Sequence, residues 1–144
     1  MATLDRAIAL AAEAHLGQLD KSRQPYILHP LRLMMRLETQ EERIVAVLHD
    51  VIEDCGVEFE TLRSMGFSET VLEALDCLTH RPEESYDDYI ARIAHQPLAR
   101  RVKIVDLEDN MDVRRLPQPL IEPDWARLQK YHRIWARLRS LENG

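Results

Sequence analysis

The sequence predicts an all-α fold, a compact multi-helix bundle in a single domain over residues 1–144. Three observations predict it. Apolar residues recur at helical spacing along most of the chain, and no stretch alternates as a half-buried strand would. Polar N-cap residues followed three positions later by an acid mark several helix starts. Only 4 glycines and 6% aromatic residues leave little material for a sheet-rich fold with many tight turns.

The first helix is expected over about residues 3–16, where Leu4, Ile8, Ala11, Ala12 and His15 fall on one stripe and Gly17 ends it. A polar loop from Gln18 to Gln24 leads into Pro25-Tyr26-Ile27-Leu28-His29-Pro30. Proline suits the first turn of a helix, so His29 should stand at a helix entrance, with that helix running to about Glu38. Thr39 and Glu42 form a capping box that opens a third helix, over about 41–54. Ser68 caps a helix to about Leu78, and Ser85 with Asp88 forms a second capping box for a helix to about His95. Pro97 opens a helix over about 98–112, with Val102 and Val105 facing inward. Three prolines between Leu116 and Pro123 predict a loop. Asp124 then caps a long last helix, about 124–142, striped by Trp125, Leu128, Trp135 and Leu138.

The net charge of −6 argues against sequence-independent nucleic-acid binding, which depends on neutralising phosphates with Lys and Arg. Cys55 and Cys77 have no ligand-like spacing and are expected as reduced thiols. The first residues lack a basic region followed by an apolar run, and no stretch approaches about 18 consecutive apolar residues. A cytoplasmic location without membrane attachment is therefore expected, and an oligomer is compatible with the sequence.

The chemistry concentrates in Val47-Leu48-His49-Asp50-Val51-Ile52-Glu53-Asp54. On a continuous helix each residue advances about 100°. His49, Asp50, Glu53 and Asp54 then share one arc, opposite Ile44, Val45, Leu48, Val51 and Ile52. A solvated acidic face is the plain alternative. Two conflicts count against it: Asp50 and Asp54 repel at i,i+4, and acids at a helix C-terminus oppose the macrodipole. A divalent cation would relieve both. His29 is one partner for such a cation. Asp106 is another, bordering the apolar stripe of Leu98, Val102 and Val105, although a simple hydrogen-bond role for it stays equally open. Two imidazoles with two carboxylates suit Mn, Fe, Co or Zn better than Ca or Mg. Such an ion acidifies water and polarises a phosphoryl oxygen, with Glu53 and Asp54 available as general acid or base. His15 is expected to be a satisfied core or pocket histidine.

These residues resemble the HD-domain phosphohydrolases. Ala14-His15-Leu16-Gly17-Gln18, Lys21-Ser22 and Pro25 to Pro30 resemble the opening of the hydrolase domain of RelA/SpoT-type alarmone enzymes. His49-Asp50-Val51-Ile52-Glu53-Asp54 resembles that family's HDxxED motif, and Val102-Lys103-Ile104-Val105-Asp106 with Asn110-Met111 its VKxAD…NM motif. The resemblance implies an HD-domain bundle with manganese held by His29, His49, Asp50 and Asp106. It implies that Glu53 and Asp54 position or activate water, that Lys21 packs on a guanine and that Asn110 contacts the nucleotide near its ribose. The basic candidates for phosphate contact are Lys21, Arg23, Lys103, Arg114 and Arg115. The implied reaction removes the 3′-diphosphate of guanosine tetra- or pentaphosphate, a small nucleotide substrate, as pyrophosphate. The length resembles the stand-alone small alarmone hydrolases, without synthetase or regulatory domains.

Two departures bear on the substrate. Asp20 replaces a basic residue of the family pattern, and Leu107-Glu108-Asp109 replaces a basic residue and a His or Tyr. Both should add repulsion near a polyphosphate, about 1 kcal/mol at 4 Å in water and more where shielded. Two alternatives follow: hydrolysis of another phosphorylated nucleotide or metabolite, and a catalytically silent nucleotide-binding module.

Overall fold

The computed structural model describes residues 2–142. Among them it forms nine α-helices: α1 (Leu4–Ala14), α2 (Leu28–Met35), α3 (Gln40–Leu48), α4 (Val51–Cys55), α5 (Phe59–Ser64), α6 (Glu69–Leu78), α7 (Tyr86–Ala94), α8 (Pro97–Asn110) and α9 (Glu122–Glu142). A single 3-10 turn, Val113–Arg115, follows α8. The described residues contain no strand, only one bridge between Leu19 and Pro25 that closes the loop after α1. None of the described helices is long and apolar enough to cross a membrane.

The caps read from the sequence explain most of these boundaries. Thr39 accepts from the Glu42 amide while Glu42 accepts from Thr39, the reciprocal pair of a capping box. Ser68 and Ser85 accept from the amides three residues on, and Gln96 does the same ahead of Pro97; the box expected at Ser85 and Asp88 is only half formed, since the Asp88 carboxylate does not reach back to the Ser85 amide. Helix α8 is the central element and packs on α2, α3, α6, α7 and α9. Its inner face buries Leu98, Val102 and Leu107 against Leu33, Val45, Leu48, Leu75 and Ile93. Fully burying a residue of this size contributes about 1.5–3 kcal/mol, so the apolar contacts of α2, α3 and α8 hold the site face in register.

Three expectations change. The helix expected over 41–54 is two helices, because the chain leaves α3 after Leu48 and restarts at Val51. The His49 ring Nδ1 donates to Ala46 O at 2.6 Å, the carbonyl that the Asp50 amide would use in a continuous helix. Glu53 and Asp54 consequently lie in the first turn of α4. Acids are favourable there, so the predicted macrodipole conflict does not exist. Helix α5, six residues without a side-chain cap, was not predicted. On α9, which begins at Glu122 rather than Asp124, Leu138 and Ile134 are buried but Trp125 is 57% exposed. The inward stripe therefore belongs to the second half of that helix.

Candidate metal centre

Helices α2, α3, α4 and α8 meet at one buried cluster. His29 sits in the first turn of α2, and His49 and Asp50 occupy the break between α3 and α4. Asp106 points inward from the third turn of α8. Ligand atoms of His29, His49 and Asp50 all lie within 4.8 Å of one another. Asp106 joins them: its Oδ1 is 2.9 Å from His29 Nε2 and 3.5 Å from His49 Nε2. Asp50 Oδ2 is 2.9 Å from His49 Nε2. The four side chains that the sequence scatters over 78 positions thus come together.

The outward nitrogens of both imidazoles are committed. His29 Nδ1 lies 2.6 Å from Asp109 Oδ2, and His49 Nδ1 lies 2.6 Å from the Ala46 carbonyl. Both partners only accept, so each Nδ1 carries a hydrogen. Both Nε2 atoms then face carboxylate oxygens. Two lone pairs cannot attract, so a proton or a metal cation must stand between them. This donor set of two imidazole nitrogens and carboxylate oxygens fits a borderline divalent ion.

The electrostatics agree. Burial by itself would lower His49, but Asp50 and Asp106 raise it well above the ordinary histidine value. Burial by itself would raise Asp106, but Lys103, His29 and His49 hold it well below the carboxylate range. Asp50, against the pull of burial, is drawn to about 2 by His49. The Tyr26 hydroxyl donates to Asp50 Oδ2; burial and the Asp50 charge raise that phenol. Partial burial and the Asp50 carboxylate raise Asp54.

Two hollows flank the cluster. The larger, about 300 Å³, is walled by the loop after α1, by α2 and by the segment from the end of α8 into α9. Lys21, Arg32, Arg115 and Arg127 line it with Tyr26, Tyr131, Leu116 and Leu128. The smaller, about 200 Å³, is lined by His49, Asp50, Glu53, His80, Tyr86, Tyr89, Lys103 and Asp106. Glu53 borders it and accepts from the His80 backbone amide. Lys103 Nζ stands 3.0 Å from Asp106 Oδ2. Asp54 is exposed beside the cluster and lines neither hollow. Lys21 and Asn110 line the larger hollow. Arg23 shares the Lys21 loop but is exposed, left-handed at φ 62°, and lines neither.

Two of the three charges expected to repel a polyphosphate are paired with arginines. Asp109 is 4% exposed and held by Arg32 and Arg115. Glu108 turns away to Arg36 and the Trp135 indole. Asp20 accepts from the Ser22 and Gln24 amides and shapes its own loop. Sequence reasoning missed Tyr26, His80, Arg127 and Tyr131 as parts of the site. For Tyr26, its place three residues before His29 was a usable signal. For Arg127 and Tyr131 there was none, because α9 reaches the site only through the fold. His15 is buried as expected, with Nδ1 2.8 Å from Gln18 Oε1, but its Nε2 has no protein partner.

Known proteins share this fold and part of this sequence. The fold is the all-helical fold of a solved structure described as a metazoan ortholog of SpoT that hydrolyses ppGpp. The two agree with a TM-score of 0.78 at 19% identity, over 96% of this chain and 85% of that one. In sequence the chain resembles the ppGpp 3′-pyrophosphohydrolases of SpoT/RelA type. It is 31% identical over 120 residues, 75% of the chain, to the guanosine-3′,5′-bis(diphosphate) 3′-pyrophosphohydrolase of Aquifex aeolicus. It is 30% identical over 132 residues, 83% of the chain, to a probable GTP pyrophosphokinase of Mycobacterium leprae. The chain spans only 17% of the length of either relative. No family model matches it.

Proposed function

We propose that the chain is a metal-dependent phosphohydrolase of the ppGpp 3′-pyrophosphohydrolase type, releasing pyrophosphate. The observation that carries this reading is the convergence of His29, His49, Asp50 and Asp106, with both Nε2 atoms turned on carboxylate oxygens. These four residues would hold the ion, which we take to be manganese. When bound, such an ion supplies a Lewis acid and a water of lowered pKa.

The chain's own residues account for the rest. One Glu53 oxygen is anchored on the His80 amide, which fixes its carboxylate beside Asp50 in the smaller hollow. From there it can take a proton from an attacking water. Asp54, beside the cluster and raised by partial burial and by Asp50, is the remaining acid that could return a proton to the leaving oxygen. Lys103 is a fixed positive charge for a transferred diphosphate. In the larger hollow Lys21 stands with Arg32, Arg115 and Arg127, whose charges are shared with Asp109 and Asp124, and Tyr131, Leu116 and Leu128 offer apolar area to a nucleoside. Asn110 sits between that hollow and Asp106, its Nδ2 3.4 Å from Oδ1. The net charge of −6 supports a small nucleotide rather than a nucleic acid as substrate, and a cytoplasmic, membrane-free setting fits the same reading.

A second reading, another phosphorylated nucleotide, is favoured by Asp20, Asp112 and Asp124 in the lining of the larger hollow. One experiment separates the two. Manganese-loaded protein is given ppGpp and a panel of nucleoside polyphosphates, and pyrophosphate and phosphate are measured by ion chromatography. The expected result is pyrophosphate from ppGpp, reduced about 10²–10⁴-fold in E53Q. Turnover of a different nucleotide alone selects the second reading. Stabilisation by ppGpp without any product makes the chain a silent binding module instead.

A further inference from the structure

We propose that Asp109 is the positioning residue of the metal centre: it fixes the His29 ring so that Nε2 is presented to the ion. This rests on the reading that His29 binds a metal. The geometry is a pair of i,i+3 steps facing each other. Asp106 and Asp109 stand one turn apart on α8, and His29 and Arg32 one turn apart on α2. Helix α8 grips the His29 imidazole at both nitrogens, Asp106 Oδ1 at 2.9 Å from Nε2 and Asp109 Oδ2 at 2.6 Å from Nδ1.

Asp109 is itself locked. Arg32 donates to it twice, Nε to Oδ1 at 2.9 Å and Nη2 to Oδ2 at 3.0 Å. Arg115 adds Nη1 to Oδ1 and Nη2 to Oδ2, each at 3.3 Å, and Nη2 to the Asp109 carbonyl at 2.6 Å. A planar guanidinium fork leaves a carboxylate one orientation. A carboxylate so held fixes both the plane of the imidazole and the nitrogen that carries its hydrogen. His49 needs no such residue, because the Ala46 carbonyl in its own helix holds Nδ1. His29 has Leu28 and Pro30 as neighbours in the first turn of its helix, and its restraint has to come from α8. The sequence position where the chain departs from its family's pattern is therefore where it orients a ligand.

The test is manganese affinity in wild type, D109A, D109N, R32M and E108A, read as free Mn²⁺ by electron paramagnetic resonance. Melting temperatures are taken in parallel with chelator. Removing an outer partner of a ligating histidine weakens metal binding about 10- to 100-fold, and that loss is expected in D109A. D109N keeps an acceptor oxygen and should recover part of it. R32M should lose less than D109A, and E108A, which sits on the outer face, should match wild type. D109A binding within twofold of wild type overturns the proposal, as does an equal loss in E108A. If D109A does not fold, D109N and R32M decide: wild-type affinity in both overturns it. Wild type that takes up no Mn²⁺ overturns the metal reading together with this one. Tight wild-type binding with unchanged variants overturns this one alone.

Discussion

The two hollows beside the metal cluster are built on different principles. The smaller one is made mostly of polar side chains, with Leu78 and Val102 between them, from the α3–α4 break and from α4, α6, α7 and α8. Its one flexible-looking wall, the segment carrying His80, is tied down because Arg92 donates to Glu84 and to the Asp76 and Thr79 carbonyls. The larger hollow mixes four cations and three aspartates with tyrosines and leucines, and most of its wall is loop or α9. A rigid polar hollow with one buried lysine suits a reacting diphosphate, which must be held still. A wider mixed hollow suits the rest of a nucleotide, where apolar area and adjustable charges contribute to affinity.

This contrast can be broken or sharpened. The largest effect is expected from D106A, which removes the oxygen both Nε2 atoms meet. Metal affinity should fall by more than the roughly 100-fold limit of an outer-partner change, and turnover with it; elemental analysis of the purified variant checks this. Next comes the split between the hollows. K103M should lower kcat about 10²-fold with little change in KM, as for loss of a preorganised charge at a reacting group. R127A should raise KM about tenfold, a change of about 1.4 kcal/mol, and leave kcat near wild type. If both variants move the same parameter, the division of labour between the hollows is wrong.

The smallest effect concerns the Glu84–Arg92 tie. The Arg92 hydrogen bond holds Glu84 near pKa 2 instead of the ordinary 4.5. A carboxylate lowered in the folded state stabilises above its unfolded pKa, and that contribution disappears as pH falls through the folded value. The melting temperature of E84Q should therefore lie below wild type at pH 7, and the gap should close between about pH 4.5 and 2. A gap independent of pH would show that the tie is not electrostatic.

Much of the fold was legible because local signals are strong where caps and periodicity agree. Thr39 with Glu42, Ser68, Ser85 and Pro97 each placed a helix start correctly. Their chemistry is contained within one turn, so no distant residue is needed to read it. The break at His49–Asp50 was not legible. It depends on a buried ring that takes a backbone carbonyl, and ring direction is set by α2 and α8. Helix α5 was missed because neither a cap nor a full period announces six residues. The outward face given to Trp125 depends on where α9 leaves the bundle.

The site divides in the same way. The motif spacing named the four metal-cluster residues and the Glu53–Asp54 pair, since their residue types already carry the chemistry. The sequence treated Asp109 and Glu108 alike, as two added negative charges. Only the tertiary structure separated them, burying Asp109 between His29, Arg32 and Arg115 and turning Glu108 toward Arg36. The sequence by itself determined which helices form and which side chains can bind a cation, because propensity, capping and donor chemistry are local. The packing of α2 on α8 decided which charges cancel and which hollow each faces, because Coulomb interactions depend on separation in space and on burial, and neither is written along the chain.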